Sequence, residues 1–150
     1  MQRVAVGLLM TYPGVPCLLY GDEIGMEGRD TQVLKCMPWD KRAWNEEIRS
    51  LYQELIRLRR SSPALNTGGF QVLDHGGDWF AYQRDTEAEQ IVVVANRGTA
   101  APGPVAVETG GIPDGSRFKD LLAGHELSVA GGRITLHDPG PGVSILRSMP

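Results

Sequence analysis

The sequence predicts an α+β chain in which a mainly helical first part is followed by an antiparallel β-sandwich or barrel. The composition changes near residue 66. Before it, apolar residues recur at helical spacing, apart from one uninterrupted apolar run that is typical of a buried strand. After it, short β-branched runs alternate with glycine, proline and aspartate. We therefore predict two units, residues 1–66 and residues 67–150.

The first unit begins with a short helix, predicted over Gln2–Thr11 because Val, Ala, Leu and Met predominate there. The pair Pro13-Gly14 prevents its continuation. Residues 15–20 are apolar without polar alternation, which is typical of a parallel strand buried on both faces. A polar loop then extends to about residue 40, and loops of this length are usually functional or cover a site.

A second, longer helix is predicted after this loop, with Asp40 as its N-cap. Its apolar residues recur at steps of three and four, so we expect one side of it to pack, with Trp44 in the core. Ser61, Ser62 and Pro63 end the helix. The apolar positions are Trp44, Ile48, Leu51, Leu55 and Leu58.

Short strands separated by glycine-rich turns are predicted throughout the second unit. Their number and spacing favour an antiparallel sandwich or barrel. Trp79 alternates with Phe80 and Tyr82, which indicates packing in the sandwich core or between the units rather than a carbohydrate platform. The predicted strands are residues 70–73, 79–83, 90–95, 105–108, 118–121, 126–129, 133–136 and 143–146.

The single parallel strand of the first unit is incomplete by itself, because a parallel sheet needs neighbouring strands. Residues 1–66 therefore cannot form a closed domain. Three alternatives stay open. The missing strands precede Met1 in sequence, another chain supplies them, or the segment packs on the sandwich in an unusual way.

The bulk composition narrows the range of partners. The net charge of −3 and the pI near 5.6 lack the basic excess of proteins that bind phosphate backbones, so we expect no nucleic-acid partner. No apolar run approaches the roughly 20 residues that cross a bilayer, and the N-terminus has no signal-peptide pattern. We expect a cytoplasmic protein without membrane contact.

Cysteine and histidine usage gives no sign of a cofactor. Cys17 and Cys36 each adjoin apolar residues, and we expect two free, buried thiols rather than a disulfide. His75, His125 and His137 are scattered without a second ligand at metal spacing, which indicates surface or turn positions rather than a zinc site. We accordingly predict neither a metal nor a cofactor.

One segment carries a family resemblance. Residues 12–28, Tyr-Pro-Gly-Val-Pro-Cys-Leu-Leu-Tyr-Gly-Asp-Glu-Ile-Gly-Met-Glu-Gly, resemble the eighth-strand segment of the alpha-amylase family of glycoside hydrolases. Residues 35–40, 44–45 and 62–65 resemble the final loop and eighth barrel helix of that family. The sequences Gly-Asp-Glu-Ile-Gly-Met and Cys-Met-Pro-Trp-Asp are most similar to the neopullulanase, cyclomaltodextrinase and maltodextrin glucosidase branch. The resemblance implies the last strand and helix of a (β/α)8 TIM barrel in residues 1–66, followed by the family's C-terminal β-sandwich in residues 67–150.

The resemblance also implies a function. The family hydrolyses glycosidic bonds with a carboxylate nucleophile, a carboxylic acid and a third carboxylate, which follow its fourth, fifth and seventh strands and would all precede Met1. We expect part of a hydrolase of α-1,4- and α-1,6-linked glucans (maltodextrins, cyclodextrins, pullulan), without catalytic residues and inactive alone. The alternative is a non-catalytic β-sandwich module for carbohydrate binding or subunit association. The unpaired strand would expose apolar surface, so we also expect self-association.

The candidate substrate-binding residues lie in the loop after the predicted strand. Asp22 and Glu23 follow the end of that strand, where barrel enzymes place their sites. Adjacent residues on an extended segment point to opposite sides, so one of them would face the site. The alternative is that both hold the loop by hydrogen bonds. Trp39 is a further candidate, because an indole in this loop is suited to stacking on a sugar ring.

Asp30 is the fourth candidate, and the resemblance alone supports it. It corresponds to an aspartate that grips glucose hydroxyls in this branch of the family, together with an arginine. Leu34 stands in the position of that arginine and offers no hydrogen-bond donor. A shift of one residue onto Lys35, or the use of Arg29, would restore a cation to this loop.

Overall fold

The computed structural model of the chain describes residues 2–28, 35–98, 104–137 and 139–150. In these residues, helices cover one face of a six-stranded sheet, and a two-stranded sheet covers the other face. The helices are α1 (Gln2–Thr11), α2 (Glu46–Ser61) and α3 (Pro63–Thr67), and two short 3-10 turns span Asp22–Ile24 and Lys41–Ala43. The strands are β1 (Gln71–His75), β2 (Trp79–Asp85), β3 (Gln90–Asn96), β4 (Val105–Glu108), β5 (Arg117–Asp120), β6 (Glu126–Ser128), β7 (Arg133–Leu136) and β8 (Gly142–Ser148).

The strand order of the larger sheet is β1-β2-β3-β8-β5-β6, and β4 pairs with β7 in the smaller one. Every pairing is antiparallel. The predicted antiparallel sheets are confirmed, and each strand predicted after residue 66 is present with its ends shifted by no more than two residues. A β-bulge interrupts the register of β1 between Val72 and Asp74.

Strand β3 lies in the middle of the molecule and is buried on both faces. Val92 and Val94 face the smaller sheet, while Ile91 and Val93 face the helices. The uninterrupted apolar run of this strand follows from that position, because neither face meets water. Two apolar cores therefore share β3 as their common wall.

The helical layer packs closely on the sheet. Met10 of α1 and Leu55 of α2 share a core with Tyr82 and Val93 of the sheet. The predicted helix Gln2–Thr11 is confirmed at both ends. Gly7 lets α1 approach β8, since a Cβ at this position would overlap the side chain of Val143. The helices and the sheet thus form one packed body, and the boundary at residues 66 and 67 stays a prediction.

The predicted strand at residues 15–20 is wrong. These residues have no regular secondary structure, and no other described strand lies beside them. The side chain of Val15 is 94% exposed and that of Leu19 is 46% exposed. An extended segment forms a strand only where a neighbour completes its backbone hydrogen bonds, and the described residues supply none.

The start of the long helix also differs from the prediction. Asp40 caps the 3-10 turn Lys41–Ala43 by accepting from Arg42 N, while the N-cap of α2 is Asn45, whose side chain accepts from Ile48 N. Trp44 precedes α2 and is half-buried, with its Nε1 donating to Pro38 O at 2.7 Å, so the expected core position is wrong. The extended backbone at Trp44 separates the turn from the helix.

The short helix α3 was not predicted, although two start signals for it are present in the sequence. Pro63 occupies its first turn, a position where a missing N–H costs nothing. Ser62 is its N-cap, and the hydroxyl of that residue accepts from Leu65 N at 3.1 Å. The same residues end α2, so one short segment closes one helix and opens the next.

The phenol of Tyr82 joins α1 to the sheet. Its side chain is buried, and its Oη lies 2.6 Å from Thr11 Oγ1. Thr11 Oγ1 in turn donates to Gly7 O at 2.6 Å. Burial raises the pKa of Tyr82 to about 12, against the smaller lowering effect of the Thr11 hydrogen bond.

The raised pKa of Tyr82 predicts a loss of stability at alkaline pH. An unfolded tyrosine ionises near pH 10, so between about pH 10 and 12 the unfolded chain releases a proton that the folded chain retains. The free energy of unfolding should therefore fall through this range, with no contribution from Tyr82 below it. Urea unfolding between pH 8 and 12 measures this, and Tyr82→Phe should show a shallower decline. An identical decline in both proteins would contradict the prediction.

Candidate functional site

Two buried arginines fix the point where the chain leaves α1. Arg59 of α2 donates from Nη1 to Met10 O at 2.9 Å and to Tyr12 O at 3.0 Å, and from Nη2 to Gly14 O at 2.5 Å. The last carbonyls of a helix have no partner within the helix. The guanidinium of Arg59 donates to these carbonyls and to that of Gly14, and so holds the backbone between Met10 and Gly14 in place.

Arg84 of β2 completes this cap from the other side. It donates from Nη1 to Thr11 O at 3.1 Å, from Nη2 to Gly68 O at 3.0 Å and from Nε to Gly69 O at 2.8 Å. Burial, and then the neighbouring charge of Arg59, lower the pKa of Arg84. Both guanidinium groups bind backbone carbonyls and form no salt bridge among the described residues. Together they hold the start of the candidate segment against the sheet.

The candidates Asp22 and Glu23 lie in a 3-10 turn rather than on an extended segment. The turn is flanked by Gly21 at φ 92° and Gly25 at φ 68°, a left-handed backbone that favours glycine. Glu23 Oε2 accepts from Gly21 N at 2.8 Å, and Asp22 Oδ2 accepts from Leu19 N at 3.3 Å. Both carboxylates thus hold the backbone of their own loop, and their contact with a substrate stays a prediction.

Two further hydrogen bonds join this turn to the loop that carries Trp39. Tyr20 Oη donates to Lys35 O at 2.9 Å, and Asn45 N donates to Ile24 O at 2.9 Å. The structure therefore brings Asp22 and Glu23 into the same layer as residues 35–45. This proximity was not predicted from the sequence, and the predicted strand before Asp22 is absent.

Trp39 is 81% exposed and projects from this layer. The carboxylate of Asp40 beside it is held by Arg42, whose Nη2 donates to Oδ2 at 2.6 Å and whose Nε donates to Oδ1 at 3.0 Å. The Arg42 side chain holds the pKa of Asp40 below its usual value. An exposed indole next to a carboxylate and a guanidinium is suited to a sugar ring, and this role of Trp39 stays a prediction. The candidate Asp30, with Leu34 and Arg29, lies outside the described residues.

Comparison with known proteins identifies the family. No family model matches the chain. A cyclomaltodextrinase from a Bacillus species is 39% identical over 102 residues, which are 66% of this chain and 18% of the relative. Neopullulanase 2 from Thermoactinomyces vulgaris is 33% identical over 138 residues, which are 89% of this chain and 23% of the relative. A solved cyclomaltodextrinase structure matches with a TM-score of 0.80 at 29% identity, over 98% of this chain and 25% of the solved one.

The chain belongs to the alpha-amylase family. The family resemblance predicted from the sequence is confirmed by these relatives. This alpha-amylase-family chain spans 18% and 23% of the two relatives' lengths, about a fifth of each. Its antiparallel sheets with few helices match the C-terminal domain of alpha-amylase-family enzymes.

The remaining candidate ligands of this alpha-amylase-family chain are spread over its surface. Cys17 and Cys36 are free, and both are exposed, so the expectation that they are buried is wrong. His75, His125 and His137 are also exposed. In the part of the chain that the structure describes, no three histidine, cysteine, aspartate or glutamate side chains form a group that could hold a metal ion. Within the same residues, no helix is both long and apolar enough to cross a membrane.

Proposed function

We propose that this chain is the C-terminal part of a glycoside hydrolase acting on α-1,4- and α-1,6-linked glucans. In this proposal, residues 1–66 correspond to the end of a (β/α)8 barrel, and the catalytic carboxylates lie elsewhere in the whole protein. The names of the relatives, a cyclomaltodextrinase and a neopullulanase, support cyclic maltodextrins and pullulan as substrates. The chain itself shapes one edge of the site and hydrolyses nothing alone.

The hydrogen bonds that Asp22 and Glu23 accept are the main observation behind this proposal. Glycosidases need two carboxyl groups facing one scissile bond, roughly 5–9.5 Å apart. Here Glu23 holds Gly21 N at 2.8 Å and Asp22 holds Leu19 N, both within one turn of the loop. This arrangement supports a loop-holding role for the pair. In this proposal, the catalytic acid and the nucleophile lie in a part of the whole protein that this chain does not span.

A turnover assay tests the proposal. We expect the purified chain to release no reducing sugar from β-cyclodextrin, maltodextrin or pullulan above a protein-free blank. Glu23→Gln should behave identically, since the carboxylate has no chemical role in this chain. A longer cyclomaltodextrinase assayed in parallel establishes the sensitivity. Robust turnover that Glu23→Gln abolishes would show that the chain carries its own catalytic groups.

A surface on the same segment supports subunit or domain association as a further role. Tyr12, Val15, Leu19 and Tyr20 expose their side chains within nine residues of the chain, with Val15 94% exposed. Exposed apolar side chains grouped in this way are typical of interfaces rather than of isolated soluble proteins. The proposal is that the segment packs against another polypeptide surface, either the rest of a whole enzyme or a second copy.

We therefore expect the chain alone to self-associate with rising concentration, as measured by sedimentation velocity. Val15→Asp places a charge in the surface and should shift the distribution toward monomer. The control is Val72→Asp on β1, which is also an exposed valine, at 56%, but lies outside the segment. A monodisperse monomer with a single cooperative melt would contradict the expectation.

A further inference from the structure

A cavity with a mixed polar and apolar lining lies at one end of the sandwich, bordered by β5, β6 and β8 of the larger sheet and by β7 of the smaller one. Its volume is about 460 Å³, within the range of roughly 300–1,000 Å³ that is typical of small-molecule sites. We call it the sandwich-end cavity. The lining residues that matter are Asp120, His125, Leu127, Leu136, His137 and Ser144.

Asp120 is the unusual member of this lining. Side chains alternate along β5, so Phe118 and Asp120 both point between the sheets, and Asp120 is only 4% exposed. Its Oδ1 accepts from Leu122 N at 2.9 Å and from Ala123 N at 3.0 Å, which fixes the turn after the strand. Its Oδ2 has no hydrogen-bond partner among the described residues.

Asp120 Oδ2 is not sealed from solvent, so this acceptor is open to the cavity that the residue lines. A molecule in the cavity is therefore able to donate a hydrogen bond to it. Ser144 occupies the same side of the neighbouring strand β8, and the register pairs Asp120 with Leu146 two residues further along. The carboxylate and the hydroxyl therefore lie at the same end of the space between the sheets.

The rest of the lining restricts the chemistry of the occupant. His125, His137 and Ser144 supply side chains that donate and accept hydrogen bonds, while Leu127 and Leu136 supply apolar surface. No lysine or arginine lines the cavity, which disfavours phosphate. No group of three ligands placed to hold a metal exists within the described residues. Glu126 also borders the cavity, but its Oε2 accepts from Arg117 Nη2 at 2.6 Å.

We propose that the sandwich-end cavity binds a short α-glucan, with Asp120 accepting hydrogen bonds from sugar hydroxyls and the two leucines contacting the C–H face of the ring. A molecule with many hydroxyls and an apolar ring face matches this mixed lining. The choice of glucose as the sugar rests on the proposed function. None of residues 12–28 or 35–45 lines the cavity, so this site is tested separately from the loop layer.

The three histidines provide a direct readout, because two line the cavity and the third does not. We expect titration of the whole chain with maltotriose to shift the imidazole C–H resonances of His125 and His137 saturably. His75 lies at the end of β1 in another part of the sandwich and should not move. The chain's own His75 signal is therefore the internal control.

Asp120→Asn is the matched substitution. Asparagine retains an oxygen for Leu122 N and Ala123 N, so the turn is kept, but it replaces the free acceptor with a donor. Affinity for maltotriose should fall about tenfold, as expected for the loss of a hydrogen bond to a charged group. Lys119→Gln on the exposed side of the same strand should leave affinity unchanged. Leu127→Trp, which fills the cavity without altering Asp120, should abolish both shifts.

The proposal is overturned if maltotriose at millimolar excess moves neither His125 nor His137, or if it moves all three histidines equally. It is also overturned if Asp120→Asn binds as tightly as the unaltered chain, or if Zn²⁺ shifts the pair while maltotriose does not. Failure of the proposed function has a different signature, since turnover by the chain alone would appear as reducing sugar whatever the behaviour of these resonances. A melt of each variant separates loss of binding from loss of fold.

Discussion

Replacing Arg59 with methionine is expected to lower the free energy of unfolding by about 3 kcal/mol. The side chain is 8% exposed and makes three hydrogen bonds to carbonyls at the end of α1, two of them shorter than 3.0 Å. Methionine fills much of the same volume but donates nothing. The carbonyls of Met10 and Tyr12 would then be left without their donor, next to the core that Met10 shares with Tyr82. Urea unfolding followed by circular dichroism measures the loss.

The control is Arg57→Met, two residues earlier on the same helix, where the side chain is exposed. Surface substitutions of this kind usually change stability by less than about 0.5 kcal/mol. Arg59→Lys keeps the charge but not the fork of donors, so its effect should lie between the two. Equal stabilities of the Arg57 and Arg59 variants would contradict the assigned role of Arg59.

The burial of Arg59 could be predicted from the sequence, although the carbonyls that it binds could not. Leu51 and Leu55 lie on the buried face of α2, and residue 59 follows Leu55 by four, so it continues the same row. An arginine in an apolar row indicates a buried acceptor. Helical spacing does not reveal that the acceptor is the end of α1, because that contact joins residues 45 to 49 positions apart.

The strands were predictable because each carries its own local pattern. In β4, Val105 and Val107 are buried while Ala106 and Glu108 are exposed, and this alternation gives both ends of the strand. The same alternation places Asp120 inward beside Phe118. An acidic residue at an inward position therefore indicated a polar site in the sequence. The open acceptor of Asp120 and the sandwich-end cavity could not be predicted, because they depend on the packing of distant strands.

Residues 15–20 show where local pattern is insufficient. An apolar run is the same in sequence whether neighbouring strands bury it or nothing covers it, so the prediction of a strand depended on partners that the described residues do not provide. The start of α2 failed for another reason. Asp40 and Asn45 are both good N-caps, and only the extended backbone at Trp44 decides that the longer helix begins after Asn45.

Glu89, in the turn between β2 and β3, links the helical layer to strand β8 of the larger sheet. It is 6% exposed, and its Oε2 accepts from Ser62 Oγ at 2.6 Å and from Ala64 N at 3.1 Å. Arg147 Nη2 lies 2.5 Å from Oε1 as an ion pair, without a hydrogen bond to that atom. One carboxylate therefore holds the start of α3 and neutralises a charge on β8.

Glu89→Ala is expected to lower the free energy of unfolding by about 3 kcal/mol, since removing one partner of a buried charged network leaves the others unsatisfied. Most of this loss should come from the hydrogen bonds that Ser62 Oγ and Ala64 N donate to Glu89. The ion pair should contribute less, because the Arg147 side chain is 41% exposed and an exposed pair contributes at most about 1 kcal/mol. Urea unfolding in a double-mutant cycle with Arg147→Met separates the two contributions. Glu87→Ala, in the same turn but exposed, is the control. A loss as large in Glu87→Ala, or a coupling to Arg147 that accounts for the whole effect, would show that Glu89 does not hold α3 to the sheet.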